Sequence, residues 1–304
     1  MIRGRGAAMI TEYPPEQNPF EVVIVDVTHR CNMACANCYL PNRVIPDMDI
    51  DRLIDCLSRL PKRVSVRIAG AEATVREDLP EIIQRIKKAG HRAILLSNGL
   101  KLANTDYVQT LKDAGLRHLY LSMNGADIDE WYLATDNMRC AARKLAAIKN
   151  AIAHRLVVQT GTILKRGLNE GAVNRMIAIA RETAPMHIVL RFKNVGAMGR
   201  YDAEAEATNL SMEEMEALVA AEMGCDPREL SCFDTVDGVC DRNSRFFPLV
   251  PETRPGRGIW IKLTNWAADE SGRVDPQSQR RGRVTQSFNL APFFDHVQEN
   301  EGGY

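Results

Sequence analysis

Six apolar runs of strand-forming residues, each followed by a segment whose apolar positions recur at helical spacing, predict an α/β fold, a partial (β/α)6 barrel with a C-terminal α+β extension. The runs recur about every 30 residues, the length that a strand, a crossover helix and two loops require, so adjacent strands are parallel. Six units are fewer than the eight of a closed barrel, which leaves an open side for a substrate.

The elements follow in order. Val22-Val-Ile-Val-Asp-Val27 is a near-continuous apolar run and predicts a buried strand; Ile50, Leu53, Ile54, Leu57 and Leu60 then mark a helix, with Cys56 as a small buried hydrophobe on it. Val64 to Ile68 forms the second strand, and Leu79, Ile82, Ile83 and Ile86 its helix. Ala93 to Ser97 is the third; Asn98-Gly99 turns the chain into a polar helix centred on Val108 and Leu111 that stops at Gly115. Leu119 to Met123 is the fourth, followed by Asn124-Gly125 and a helix carrying Leu145, Ile148 and Ile152. Leu156 to Leu164 and His187 to Phe192 complete the set. Residues 1–19 lack an apolar stretch and are expected to be a mobile arm, with the barrel core at 20–200 and a substrate-binding extension at 201–304.

Composition narrows the class. The chain has 304 residues, 45% of them apolar, with Lys+Arg and Asp+Glu both at 39, so no net field points to an obligate nucleic acid or membrane partner. No apolar run has the length of a membrane span and no export signal opens the chain, so the expected location is cytoplasmic. Eight cysteines in a reducing compartment are expected to be thiols and metal ligands rather than disulfides.

Cys31, Cys35 and Cys38 follow the first strand in the spacing C-x3-C-x2-C. Three thiolates can hold three corners of a four-iron four-sulfur cluster and leave the fourth iron open, whereas a closed structural zinc site needs four ligands. No fourth Cys or His stands nearby in zinc-finger spacing. The stretch Asp26-Val-Thr-His-Arg-Cys-Asn-Met-Ala-Cys-Ala-Asn-Cys-Tyr39 resembles the cluster loop of the radical S-adenosylmethionine (radical SAM) enzymes. That resemblance implies a TIM-like partial barrel of the radical SAM type and one 4Fe-4S cluster on Cys31, Cys35 and Cys38. It also implies SAM bound to the open iron through its amino and carboxylate groups, and a one-electron donor such as flavodoxin or ferredoxin.

The strand ends extend the resemblance. Gly70-Ala-Glu-Ala-Thr74 is similar to the family's Gly-Gly-Glu-Pro motif, with Ala71 and Ala73 as departures, and implies that Glu72 holds the SAM amino group. Ser97 and Asn98 match a short motif near the SAM methionine moiety, Ser122 a hydroxyl contact to SAM, and Asn124 a position where family members often carry Asp. Arg191 matches an arginine for the SAM carboxylate, and Val195-Gly-Ala-Met-Gly-Arg-Tyr201 a glycine-bearing loop over SAM. The residue before the third cysteine is usually aromatic; here it is Asn37, with Tyr39 after Cys38, so adenine contacts fall to these two.

The implied activity is reductive cleavage of SAM to a 5′-deoxyadenosyl radical, which abstracts hydrogen from an unactivated C–H bond of a natural-product, peptide or lipid substrate. The outcome is dehydrogenation, epimerisation, cross-linking or C–C bond formation. The competing class is a non-catalytic iron–sulfur or SAM-binding redox partner or sensor, against which the set Glu72, Ser122 and Arg191 argues.

In the extension, Ser211-Met-Glu-Glu214 is a capping box that opens a helix with Met215, Leu218, Val219 and Met223 on one face. Cys225, Cys232 and Cys240 admit two readings, idle or buried thiols or ligands of an auxiliary iron–sulfur cluster; Cys232 and Cys240 are also the candidate hydrogen donors if the enzyme is an epimerase. Cys140 reads as structural. Gly256 to Asn265, with Trp260 and Trp266 near it, predicts a strand of an added layer. Arg273, Arg280, Arg281 and Arg283 form a basic stretch, either a solvated loop or a grip on a substrate phosphate or carboxylate. Phe288 to Phe294 is apolar and is expected to pack back on the core.

Overall fold

The computed structural model describes residues 11–40, 43–183, 187–195, 203–233, 240, 243–250, 253–254, 256–266 and 280–293. The first six strands are β1 (Val22–Asp26), β2 (Ser65–Ala69), β3 (Arg92–Ser97), β4 (His118–Ser122), β5 (Val157–Ile163) and β6 (His187–Lys193), each within a residue or two of its predicted position. They pair in parallel and in chain order, as short crossovers demand. The crossovers carry α1 (Ile50–Ser58), α2 (Leu79–Lys88), α3 (Thr105–Asp113), α4 (Asp129–Asp136), α5 (Ala141–Ala153) and α6 (Ala172–Thr183).

Helix starts follow their caps. The Asp49 carboxylate accepts from the N–H groups of Asp51 and Arg52 at the start of α1, and Asn104 accepts from Tyr107 at the start of α3. Each helix then buries its predicted stripe: Leu53, Cys56 and Leu57 on α1, and Leu79, Ile82, Ile83 and Ile86 on α2. A fully buried side chain of this size contributes roughly 1.5–3 kcal/mol, so these faces hold the helices on the sheet.

The extension contributes α7 (Ala203–Ala207), α8 (Met212–Met223), β7 (Ser244–Pro248), β8 (Gly258–Thr264), β9 (Arg281–Val284) and β10 (Leu290–Pro292). The capping box of Ser211 and Glu214 forms as predicted. Strand β8 is not in an added layer. It pairs in parallel with β6, from His187 opposite Gly258 to Lys193 opposite Thr264. Two members of the basic stretch are likewise not in a solvated loop: β9 pairs in parallel with the opposite edge, β1, and buries Arg281 and Arg283 at 6% and 0% exposure, while Arg280 just before it is exposed. Gly282 between them is required by close approach, because a Cβ there would lie 2.2 Å from the Phe20 ring. Arg273 lies outside the described residues, as do residues 196–201 of the predicted SAM loop.

The result is one ten-stranded sheet, β10-β9-β1-β2-β3-β4-β5-β6-β8-β7, whose two outermost strands are antiparallel hairpin partners of β9 and β8. Residues 11–19 are tied down at its edge, where Tyr13 and Leu290 exchange backbone hydrogen bonds of 2.7 and 2.9 Å. Phe288, Leu290 and Ala291 are buried, as the apolar C-terminal segment predicts. No helix among the described residues is long and apolar enough to cross a membrane.

The expectation of free thiols is corrected at one place. Cys232 and Cys240 are joined in a disulfide, their Cα atoms 6.1 Å apart across a separation of 8 residues, within the span such a bond bridges. Paired, neither carries the S–H that hydrogen donation needs. Two of the three candidate sulfurs for an auxiliary cluster are thereby engaged with each other, leaving Cys225 as the free thiol of that trio.

Candidate functional site

The loop carrying the three cysteines leaves the C-terminal end of β1, and several side chains hold its return leg to its start. The Thr28 hydroxyl donates to Asp47 at 2.5 Å, and Arg30 pairs with the same carboxylate at 2.6 and 3.1 Å. Arg76, anchored by Asp78, donates to the carbonyls of Val27 and Met48, both at 2.9 Å. Within this frame the cysteines are half-buried. Donors already face two of the sulfurs: the Met33 amide is 3.4 Å from Cys31 Sγ and Arg43 Nη2 is 3.1 Å from Cys38 Sγ. Burial raises the Cys31 thiol pKa and pushes that of Cys35 up to about 12, with the nearby Asp136 adding to the second shift. Among the described residues no group of three metal-ligating side chains is already converged on one point. The donor set is nonetheless soft, three-membered and furnished with N–H groups that donate to two of the sulfurs, which fits an iron–sulfur cluster better than a hard cation.

Glu72 organises the next layer. Gly70 has φ +112°, and a Cβ at this position would meet the Thr28 carbonyl oxygen at 2.2 Å; only glycine lets the second loop lie against the first. The two loops are then zipped by Ala71 N–H to Thr28 O at 2.9 Å and Glu72 N–H to Arg30 O at 3.1 Å. The Glu72 carboxylate is 2% exposed. One oxygen accepts from the Thr74 amide, the Thr74 hydroxyl and Ser97 Oγ, and the other from the Asn98 amide at 2.6 Å. Asn98 carries the chain of contacts to the cluster loop, donating to Asn32 Oδ1 at 2.7 Å with Cys31 Sγ 4.0 Å away. Three residues singled out from sequence, Glu72, Ser97 and Asn98, thus meet beside Cys31.

A second support is absent from the sequence reading. Helix α4 is weakly amphipathic, yet it ends on the cluster loop: Ala36 N–H donates to Thr135 O at 3.1 Å and Asn137 Nδ2 to Ala34 O at 2.7 Å. Its Asp136 pairs with Lys144 at 3.6 Å, the two side chains 2% and 0% exposed, and Lys144 also donates to Ser122 O at 3.0 Å. Asn124 belongs to this network. Its amide nitrogen donates to Asp136 at 2.7 Å and its amide oxygen accepts from Ile163 N–H at 3.0 Å, so both ends are engaged within the protein. Ser122, by contrast, is exposed at the C-terminal end of β4.

Inside the barrel, beneath these loops, lies a cavity of about 170 Å³ whose wall includes Asn37, Tyr39, Arg67, Tyr120, Arg191 and Lys193. Arg191 is held by a 3.1 Å bond from Nε to Thr264 Oγ1 and by the Trp266 ring, 5.0 Å below its guanidinium. The Asn37 amide nitrogen is buried without an acceptor, an unspent donor of the kind a bound ligand satisfies. Burial, with Asp26 adding, raises the Tyr39 phenol pKa; Arg283, which pairs with Asp26, opposes that shift. The disulfide lies at the β7 edge, where the Phe246 amide donates to Cys232 Sγ.

The family model of the radical SAM superfamily matches residues 25–180. The 7,8-dihydro-6-hydroxymethylpterin dimethyltransferase of Methanocaldococcus jannaschii is 32% identical over 188 residues, 59% of this chain and 37% of that protein. The chain thus aligns to little more than a third of that relative. The GTP 3′,8-cyclase of Aquifex aeolicus is 25% identical over 252 residues, 78% of this chain and 76% of its own. Among solved structures, Streptococcus suis SuiB bound to the precursor peptide SuiA superposes with a TM-score of 0.61 over 94% of this chain and 62% of that one. At 9% identity that likeness shows the fold alone.

Proposed function

The chain belongs to the radical SAM superfamily and is an enzyme, and from that premise we propose that it takes a hydrogen atom from a C–H bond of a small-molecule, peptide or lipid substrate. A 4Fe-4S cluster with SAM supplies the 5′-deoxyadenosyl radical for that step when bound. Cys31, Cys35 and Cys38 hold the cluster. Glu72, Ser97 and Asn98 fix the loop beside Cys31, while Asn37, Tyr39 and Arg191 of the cavity wall provide donors and an aromatic face for SAM, and Ser122, exposed at the end of β4, offers it a hydroxyl. The barrel wall keeps water from the reacting carbon. In this assignment residues 20–200 carry the cofactors, residues 201–304 shape the substrate side, and a one-electron donor docks at the cluster loop.

The observation that supports the reading most is the zipping of the Gly70–Thr74 loop to the cysteine loop, which puts a buried carboxylate hub next to Cys31. Relatives named for acting on a dihydropterin and on GTP favour a small polar substrate over a lipid. The test is anaerobic reconstitution, dithionite reduction and chromatography of the products. We expect about four irons per chain, and 5′-deoxyadenosine and methionine from wild type. Alanine at Cys31, Cys35 or Cys38 is expected to abolish both products, and alanine at Cys56, packed in the α1 core, to leave them. Equal product from all four variants would refute the assignment.

A further inference from the structure

Thr135-Asp136-Asn137, at the end of α4, lies against Ala34-Cys35-Ala36 of the cysteine loop, and the outer members of the two triplets are tied together. The Ala36 amide donates to the Thr135 carbonyl at 3.1 Å, and the Asn137 side chain donates to the Ala34 carbonyl at 2.7 Å. With 36 tied to 135 and 34 tied to 137, the middle members, Cys35 and Asp136, are set against each other. Asn137 closes the helix in the left-handed conformation, with φ 53°, a role that asparagine fills more readily than most residues.

The charge placed there does not reach water. Asp136 and Lys144 pair at 3.6 Å with side chains 2% and 0% exposed. Asn124 Nδ2 gives the carboxylate a second donor at 2.7 Å, so both partners are N–H groups, which suits an ionised acid. Lys144 is fixed in turn by the Ser122 carbonyl at 3.0 Å and by the Tyr132 ring, whose centre is 5.3 Å from the ammonium nitrogen. Met33, Leu100, Tyr132, Cys140 and Ala141 form a small apolar cluster separate from the main core, and Cys31 and Cys35 pack against it. Charges beside Cys35 therefore act through protein and are little screened by solvent. Among the described residues, the charge of Asp136 acts most strongly on the Cys35 sulfur, and that of Lys144, of opposite sign, comes next.

We propose that Asp136 is a positioning residue for Cys35 and that its buried charge lowers the reduction potential of the iron–sulfur cluster held there, with Lys144 limiting the size of that effect. The proposal rests on the radical SAM reading for the presence of the cluster, and names what regulates that same site. Three thiolates leave an oxidised four-iron cluster anionic. The electron that a one-electron donor delivers adds one more negative charge, and no bond breaks and no proton moves. A carboxylate set against one ligand opposes the added charge, and the neighbouring ammonium offsets part of that opposition. Arg43 Nη2, 3.1 Å from Cys38 Sγ, favours the electron at another ligand and is the same in every variant below. A low potential is useful at this site. A sulfonium accepts an electron reluctantly, so a cluster that holds its electron weakly is the better donor to SAM.

The test is a redox titration of the anaerobically reconstituted enzyme, followed by the paramagnetic resonance signal of the reduced cluster. Three variants are compared with wild type: Asp136→Asn, Asp136→Asn/Lys144→Met and Glu130→Gln. The last removes the same charge from the exposed face of α4, where the Glu130 side chain is 68% exposed. The midpoint potential should rise in Asp136→Asn, rise by less in the double variant and stay at the wild-type value in Glu130→Gln. The double variant has no buried charge to strand, and stands in for Asp136→Asn if a thermal melt shows that one unfolded. A folded Asp136 variant with a potential at or below that of wild type overturns the inference, as does an equal rise in Glu130→Gln. A larger rise in the double variant than in the single one removes Lys144 from the assignment. Formation of 5′-deoxyadenosine is measured on the same wild-type sample. Product with a potential insensitive to Asp136 sinks this inference alone, shifted potentials without product sink the radical SAM chemistry alone, and a wild type that takes up no iron overturns both.

Discussion

Asp26 and Arg283 stand 257 positions apart and form an ion pair in which the arginine side chain is 0% exposed and the aspartate 9%. One residue closes the first strand of the barrel and the other lies in its last parallel strand, so the pair locks β9 onto β1.

Replacing Arg283 with Met leaves the Asp26 carboxylate buried without its partner. The expected loss is about 3–5 kcal/mol, read by denaturant unfolding. The double variant Asp26→Asn/Arg283→Met should recover a large part of it, since a neutral pair has no buried charge to strand. A single variant within about 1 kcal/mol of wild type would show that the pair does not hold the strand.

Glu72→Gln keeps the shape of the side chain but exchanges one acceptor oxygen for a donor. Four N–H and O–H groups now converge on that carboxylate, so at least one of them loses its acceptor. A buried unsatisfied group costs about 1–3 kcal/mol, and the melting temperature should drop accordingly. SAM affinity should fall at least tenfold in the same variant, with iron content retained. Unchanged melting and unchanged affinity together would remove Glu72 from its place as the hub.

Lys193 predicts a pH dependence. Its folded-state pKa of about 7 lies below the ordinary lysine value of 10.5, so between those two the unfolded chain binds more protons than the folded one. This group's contribution to stability therefore rises with pH through that window, and its cost is fully present below about 7. The stability difference between wild type and Lys193→Met, read by denaturant unfolding from about pH 6 to 10, should therefore shrink as pH rises through that window; a difference independent of pH would show that burial of this ammonium carries no cost.

Local pattern carried the sequence reading as far as local pattern reaches. The strands β1 to β6 and the stripes of α1 and α2 were legible because their apolar positions repeat within one element, and the cysteine triplet because its spacing lies on one loop. Strand β9 was not. Arg281-Gly-Arg-Val284 looks solvated, and only a partner 257 positions away makes Arg283 a core residue. Helix α4 escaped for a related reason: two of its buried side chains are polar, Thr135, whose hydroxyl donates to the Trp131 carbonyl, and Asp136, which is met by Asn124 and Lys144, so apolar periodicity does not reveal them. The Cys232–Cys240 bond was hidden because sulfur spacing alone does not say whether a loop returns on itself. At the site, the motifs placed Glu72, Ser97 and Asn98 near the cysteines, but not the hydrogen bonds that make Glu72 their common acceptor.

The placement of β9 beside β1 has a consequence in time. A polypeptide leaves the ribosome from its N-terminus, so the strand that bears the cysteine loop is made among the first and its outer neighbour among the last. Until residue 284 has emerged, the backbone N–H and C=O groups along that side of β1 have no ladder partner, and an unpaired edge is a surface on which chains aggregate. The same interval leaves the flank of the cysteine loop unwalled. A cluster inserted before that point would meet an open flank, and one inserted after it a flank closed by the final parallel strand.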